Sequence, residues 1–255
     1  MKRKYISFLT PGSEAFDPIA LARQTEEIVS QNNSRKYTDF YCTGVYGGIS
    51  TGYSVGCCLR CVFCWVDWSR DFPFETRYGD FFSPQQVFHK LLKNAKKKRV
   101  RKMRISGCEP TLCQEHLLSI LDLVEKTSFL FILETNGILL GADPEYANKL
   151  KKYKNIHLRV SIKAGTPEGF EKRTGAKGEC YDLPFKAIQN LSQVGVSFHA
   201  AAMTDPRLMP GEERELLLRK LNSIGYKDYL EEEMCDPYAT SIKRLEKAGF
   251  KLRWV

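Results

Sequence analysis

Apolar residues follow two different periods along this chain, and each change of period marks an element boundary. Ile19, Ala22, Ile28 and Val29 recur near helical spacing behind Asp17-Pro18, which predicts a first helix there. Gly44 to Gly56 is rich in glycine and reads as a long loop leading into a cluster of cysteines. Ser83 as N-cap and Pro84 at the first helical position predict an amphipathic helix to about Lys97, followed by a short strand over 100–106. From there the rhythm is regular: helix 114–126, strand 129–135, helix 144–153, strand 156–163, helix 183–193, strand 196–203, helix 211–223, a strand at 226–230 and a helix at 238–248. Strands alternating with helices in this way predict βαβ units and a parallel sheet.

Parity within the strands adds a second inference. From Ile156 to Lys163 the even positions are apolar and the odd ones polar; from Val194 to Met203 the even positions again carry the apolar face, with Ser197, His199, Ala201 and Met203 on the other. A helix layer needs the apolar face, so the polar set points into the lumen of an α/β barrel. In such folds chemistry sits at the C-terminal ends of strands. Those ends read Ser106-Gly107-Cys108-Glu109, Glu134-Thr135-Asn136-Gly137, Ser161-Ile162-Lys163 and His199 to Asp205.

At 255 residues the chain has room for one large domain or two small ones, and 43% hydrophobic with 27% charged residues excludes disorder, collagen and a disulfide miniprotein. No run reaches the ~18 apolar residues of a membrane span, and MKRKYISFLT gives way to TPGSE before a signal core forms, which predicts a soluble, cytoplasmic protein with no membrane partner. The net charge of +9 is local: KNAKKKRVRKMR, residues 93–104, holds eight Lys or Arg and no acid. This run spans the end of a helix and the start of a strand, so it falls on the face opposite the strand C-terminal ends. There it forms a solvated surface or docks an acidic electron donor of flavodoxin or ferredoxin type. Nine cysteines, an odd number without an export signal, argue for thiolate chemistry over disulfides.

Cys57-Cys58-Leu59-Arg60-Cys61-Val62-Phe63-Cys64 contains C-x-x-x-C-x-x-C. Three thiolates on one loop can hold three irons of a 4Fe-4S cluster and leave the fourth open. The motif, with aromatic Phe63 before the last cysteine, resembles that of the radical S-adenosylmethionine enzymes, and Gly107-Cys108-Glu109-Pro110 is similar to their Gly-Gly-Glu-Pro with Cys108 in place of the second glycine. Among subfamilies the chain looks most like the small pyruvate formate-lyase activating type. Glu134-Thr135-Asn136-Gly137, Ser161-Ile162-Lys163, Pro167-Glu168 and Thr174-Gly175 match its motif series with Glu134 and Ser161 replacing two aspartates. The likeness covers about residues 40–205.

That resemblance implies a partial (β/α)6 barrel over 41–235, a short N-terminal helical extension over 1–40, and a C-terminal helix and tail over 236–255 packed on the barrel. It implies a 4Fe-4S cluster on Cys57, Cys61 and Cys64, and S-adenosylmethionine bound at the open iron. Reductive cleavage then gives a 5′-deoxyadenosyl radical that abstracts hydrogen from a substrate. By analogy Glu109 takes the amino group, Lys163 the methionine carboxylate, Ser161 the ribose, and Phe63 with Met203 or its neighbours the adenine. Ser106, Gly107, Asn136 and His199 complete the candidate cofactor-binding set.

Other readings of the same residues stand beside this one. Three thiolates with a histidine can hold zinc; Cys42, Cys58, Cys108, Cys113, Cys180 and Cys235 are ligands of a second cluster or free thiols. Glu109, Glu134 and Lys163 could form a buried ion network, His199 could be a structural histidine, and Trp65 and Trp68 could be packing residues. The substrate is a glycyl-radical partner protein, a small molecule or an RNA nucleoside. For a protein substrate the lumen mouth should be wide; for a smaller one the tail YLEEEMCDPYATS should close over it. From a different class, the chain could be a noncatalytic iron-sulfur or zinc module that binds nucleic acid.

Overall fold

In the computed structural model, residues 5–254 are described; residues 1–4, which belong to the N-terminal segment read above, and residue 255 lie outside them. Helix α1 (Pro18–Val29) begins as its sequence predicts, with the Asp17 carboxylate accepting from the backbone N–H groups of Ile19 and Ala20. The chain then enters a sheet through β1 (Ser30–Gln31), β2 (Ser34–Thr43), β3 (Ile49–Ser54) and β4 (Asp80–Phe82). Helix α2 (Pro84–Lys98) follows, and its N-terminus carries a capping box between Ser83 and Gln86. Thereafter come β5 (Lys102–Gly107), α3 (Gln114–Val124), β6 (Leu130–Thr135), α4 (Ile138–Ala142), α5 (Pro144–Leu150), β7 (Ile156–Ile162) and α6 (Pro167–Thr174). The remainder is α7 (Leu183–Val194), β8 (Phe198–Met203), α8 (Gly211–Ser223), β9 (Leu230–Glu233) and α9 (Ala239–Lys247).

The strands lie in the order β1-β2-β3-β5-β6-β7-β8-β9, with β4 on β2. Strands β3, β5, β6, β7, β8 and β9 pair in parallel, while β1, β2 and β4 pair antiparallel. The fold is therefore α/β with a mostly parallel, open sheet: a partial barrel of six parallel strands extended at one edge by an antiparallel hairpin. Even-numbered residues of β7 and β8 face the helices, where Leu158, Val160, Ala200 and Ala202 are fully buried in one core with Leu117, Ile120, Leu150, Ile188 and Leu191. Gly141 is where α4 meets α7; a Cβ there would stand 1.9 Å from the Leu183 carbonyl oxygen, so only glycine permits this crossing.

Two readings of the sequence are corrected. The long loop expected over 44–56 contains β3, the first strand of the parallel set, and every residue of it is buried. Gly52 and the serines interrupt the apolar pattern of its Ile-Ser-Thr-Gly-Tyr-Ser sequence, and it is held by its two neighbours, β2 and β5, on either side. The last strand lies at 230–233, not 226–230. Tyr226 instead ends the preceding turn, its hydroxyl accepting from the Ala200 N–H at 2.8 Å and donating to the Tyr229 carbonyl at 2.6 Å. No helix among the described residues is long and apolar enough to cross a membrane.

Candidate functional site

The segment after β3 carries the cysteines across the C-terminal end of the sheet. Cys61 is buried, and Cys57 and Cys64 are partly exposed. Each of their backbone carbonyls accepts a hydrogen bond from a buried arginine: Arg60 Nη1 to Cys57 at 2.8 Å, Arg70 Nη1 to Cys61 at 2.7 Å and Arg244 Nη1 to Cys64 at 2.6 Å. Arg244 comes from α9, which also reaches the carbonyls of Val66 (2.5 Å) and Asp67 (2.8 Å); Thr240 and Ser241 of the same helix donate to those of Trp65 (2.8 Å) and Phe63 (3.3 Å). Asp71, fully buried, pairs with both Arg70 and Arg244. Of the tail YLEEEMCDPYATS, Leu230–Glu233 forms β9 in the sheet, and Tyr238, Thr240 and Ser241 lie against the cysteine loop. Sequence reading did not find these arginines, since none carries a motif.

The thiols influence one another. The hydrogen bond between Cys57 and Cys58 lowers the Cys57 thiol and, with burial, raises that of Cys58, while burial raises Cys61. Lys163 and Arg70 act in the opposite sense on Cys61. Among the described residues no three His, Cys, Asp or Glu side chains converge on a point that could hold a single metal ion. A cubane takes one thiolate per iron, so three thiols set along one loop beside buried cations suit it without such convergence.

The neighbouring strand ends join this loop. Gly107 has φ +90°, and the Cys108 and Glu109 N–H groups turn back to the Ser54 and Gly56 carbonyls. Arg35, fully buried on β2, fixes the same turn by donating to the Glu109, Pro110 and Leu112 carbonyls at 2.7, 2.7 and 2.9 Å. Glu109 Oε1 accepts from the Thr111 N–H, the Thr111 hydroxyl and the Thr135 hydroxyl, while Oε2 accepts from the Asn136 N–H, at 2.8 Å. Asn136 Nδ2 donates in turn to the Cys58 sulfur at 3.3 Å and the Cys57 sulfur at 3.8 Å. Lys163 bonds the Ser161 hydroxyl and stands 5.9 Å from the Phe63 ring centre. Cys57, Glu109 and Asn136 therefore form one group, and Phe63, Ser161 and Lys163 another. Met203 ends β8 beside Glu233.

Below this end the polar face of the strands fills the lumen. Arg104 pairs with Glu134 at 2.5 Å, Ser106 donates to Glu134 at 2.8 Å, and the Tyr46 hydroxyl donates to Glu134 at 2.7 Å. Burial pushes the Glu134 carboxyl up, but the Arg104 charge and the two hydroxyls outweigh it and leave it below its ordinary value. Arg159 pairs with Glu231 at 2.7 Å and Glu233 at 2.8 Å. His199 bridges Glu231 (3.0 Å) and His157 (2.8 Å) near the start of β8, so the structure does not bring it to the cysteine loop. The basic run divides: Arg99 and Arg101 face solvent, while Arg104 is buried in the lumen and Lys102 donates to the Tyr46 carbonyl beneath it.

A cavity of about 410 Å³ opens beside the loop, lined by Asp39, Tyr41, Tyr53, Trp65, Asp67 and Gly107. Tyr41 stacks on Tyr53 at 4.6 Å, and Trp65, 45% exposed, touches both Tyr53 and Tyr238. Trp68 instead packs under the Arg244 guanidinium. A second cavity of about 420 Å³, between α6 and the N-terminal segment, lies away from the cysteines.

Comparison with known proteins identifies the family of this fold. The Radical SAM superfamily model matches residues 52–221. A protein of Methanococcus maripaludis named "Probable GTP 3′,8-cyclase" is 30% identical over 142 residues, 55% of this chain and 44% of its own length, so this chain spans less than half of that relative. Among solved structures, Streptococcus suis SuiB bound to its precursor peptide SuiA shares the fold with a TM-score of 0.58, 18% identity, and coverage of 79% of this chain and 40% of its own. Native anSMEcpe with bound AdoMet gives a TM-score of 0.55 at 18% identity, covering 76% of this chain and 56% of its own. None of these is a pyruvate formate-lyase activating enzyme, so that subtype finds no support in them. The family model covers well over half of the chain, and its members use a 4Fe-4S cluster and S-adenosylmethionine. This chain belongs to the radical SAM superfamily.

Proposed function

We propose that this chain cleaves S-adenosylmethionine reductively and uses the product to abstract a hydrogen atom from a small polar molecule held in the lumen. The observation that carries this reading is the cysteine loop set at the mouth of a lumen lined by charged and hydroxyl groups. Cys57, Cys61 and Cys64 are the cluster ligands. When bound, the cluster and S-adenosylmethionine supply one-electron cleavage of the sulfonium to a 5′-deoxyadenosyl radical.

The chain's residues bind and orient. Glu109 Oε2, with one donor among the described residues, has capacity to accept from the methionine amino group. Lys163 meets the carboxylate, and Ser161 lies within its reach for the ribose. Phe63 and Met203 supply apolar surface for adenine, and the turn at Gly107 presents backbone polar groups. Asn136 holds Cys57 and Glu109 in register, Ser106 orients Glu134, and His199 belongs to the lumen floor that meets substrate. Tail residues 238–244 packed on the loop favour a small substrate over a protein loop, and the named cyclase activity of the Methanococcus relative supports the same choice. The electron comes from a low-potential donor of flavodoxin or ferredoxin type.

Anaerobic reconstitution with iron and sulfide, reduction with dithionite and addition of S-adenosylmethionine should yield 5′-deoxyadenosine from the wild type and none from Cys61→Ala. Equal yields from both proteins would end this reading.

A further inference from the structure

We infer that Arg60, Arg70 and Arg244 form a cationic collar that raises the reduction potential of the cluster, with Arg244 exerting part of that control from the C-terminal helix. The inference rests on Cys57, Cys61 and Cys64 being the ligands.

Its basis is positional. Three guanidiniums, 1%, 2% and 3% exposed, each donate to the carbonyl of a different proposed ligand, so one cation is held against the backbone of each. Among the described residues the one carboxylate paired with any of them is Asp71, which is shared by Arg70 and Arg244. Arg60 also donates to the Ile6 and Leu59 carbonyls. Neutral carbonyls accept these hydrogen bonds without cancelling the charge of the donor. Arg244 likewise bonds three of them, at Cys64, Val66 and Asp67.

The electrostatic consequence follows from the half-reaction. One electron from the donor converts the cluster from the 2+ to the 1+ core and leaves the thiolates unchanged, so the site gains one negative charge. Buried positive charge nearby stabilises the product more than the reactant, and net charge and hydrogen bonding are among the determinants of iron-sulfur potentials. Carbonyl bonds from arginine also hold the loop still, but that role alone predicts no dependence on formal charge. The two roles separate by substitution.

The test is an EPR-monitored redox titration of the full chain, reconstituted anaerobically, with iron and sulfide counted for each variant. Arg244→Gln and Arg60→Gln retain a donor and lose the charge; each should lower the reduced-to-oxidised ratio at the wild-type midpoint about tenfold, about 59 mV for one electron. Arg244→Lys keeps the charge and should stay near wild type. Asp71→Asn removes the one counter-charge and should move the midpoint the opposite way. Arg60→Gln does not touch the Asp71 pair, so it still decides the matter if Arg244→Gln fails to fold. Fully loaded variants at the wild-type potential would overturn the collar while leaving the ligand assignment intact. Wild-type iron content in Cys57→Ala, Cys61→Ala and Cys64→Ala would instead overturn the ligand assignment.

Discussion

The two ends of the barrel hold their buried arginines differently. In the lumen, Arg104 faces Glu134, and Arg159 faces Glu231 and Glu233, so charge meets charge. At the cysteine loop Arg60, Arg70 and Arg244 face mainly carbonyls, and one carboxylate, Asp71, serves two of them. The lumen floor is therefore close to electroneutral and structurally self-contained. The cysteine end keeps an uncompensated positive charge where an anionic cluster would sit. Burial makes either arrangement costly unless the partners are complete, which is why each can be probed by removing one of them.

The largest effect is expected at Asp71. Asp71→Ala leaves two fully buried guanidiniums without their carboxylate and should cost about 3–5 kcal/mol, read as a lower urea midpoint with an unchanged slope. A stability within 1 kcal/mol of wild type, an order-of-magnitude threshold for a buried pair, would show that the collar needs no counter-charge.

A third buried polar cluster carries no formal charge and sharpens the contrast. His116 accepts from the Tyr37 hydroxyl at 2.9 Å and donates to the Asn33 carbonyl at 2.8 Å, tying α3 to β2. Burial is the main cause that lowers its pKa from 6.5 to about 4. Between those values the folded state binds fewer protons than the unfolded one, so stability is full above 6.5 and falls as the pH drops, by at most about 3 kcal/mol. Urea midpoints measured from pH 7 to 5 should show this slope, and His116→Gln should flatten it.

In the lumen, Glu134→Gln removes the charge opposite Arg104 but keeps acceptor and donor atoms. The expected loss is about 1–3 kcal/mol with iron content unchanged, because the network is separate from the thiols. A variant that loses iron would join the two ends that we describe as distinct. The smallest effect is expected at Ser241→Ala, which deletes one bond to the Phe63 carbonyl: about 0.5–1.5 kcal/mol, together with faster amide exchange in 63–67.

The same two regions differ in how far the sequence disclosed them. Strands β7 and β8 were legible because alternation at Ile156 to Lys163 and Val194 to Met203 records a helix-covered face and a polar lumen. The cysteine spacing and the Glu109 turn were legible because their chemistry is local. Strand β3 was not, since small polar residues such as Ser50 and Thr51 are buried there by neighbours far away in sequence. Nor was the collar: Arg60, Arg70 and Arg244 converge only after α9 folds back across some 180 positions, and no periodic pattern records that contact. Glu231 and Glu233 were hidden for a related reason, because a strand reading Leu-Glu-Glu-Glu depends on Arg159 in the neighbouring part of the sheet.

We propose that the loop presents three thiolates and would leave one iron of a 4Fe-4S cluster open to S-adenosylmethionine. The most direct measurement is the EPR spectrum of the dithionite-reduced, reconstituted chain before and after S-adenosylmethionine is added. The account predicts a single 4Fe-4S signal whose line shape changes on addition in the wild type, with the change weakened in Glu109→Gln. A full 4Fe-4S signal that saturating S-adenosylmethionine leaves unaltered in the wild type would contradict it.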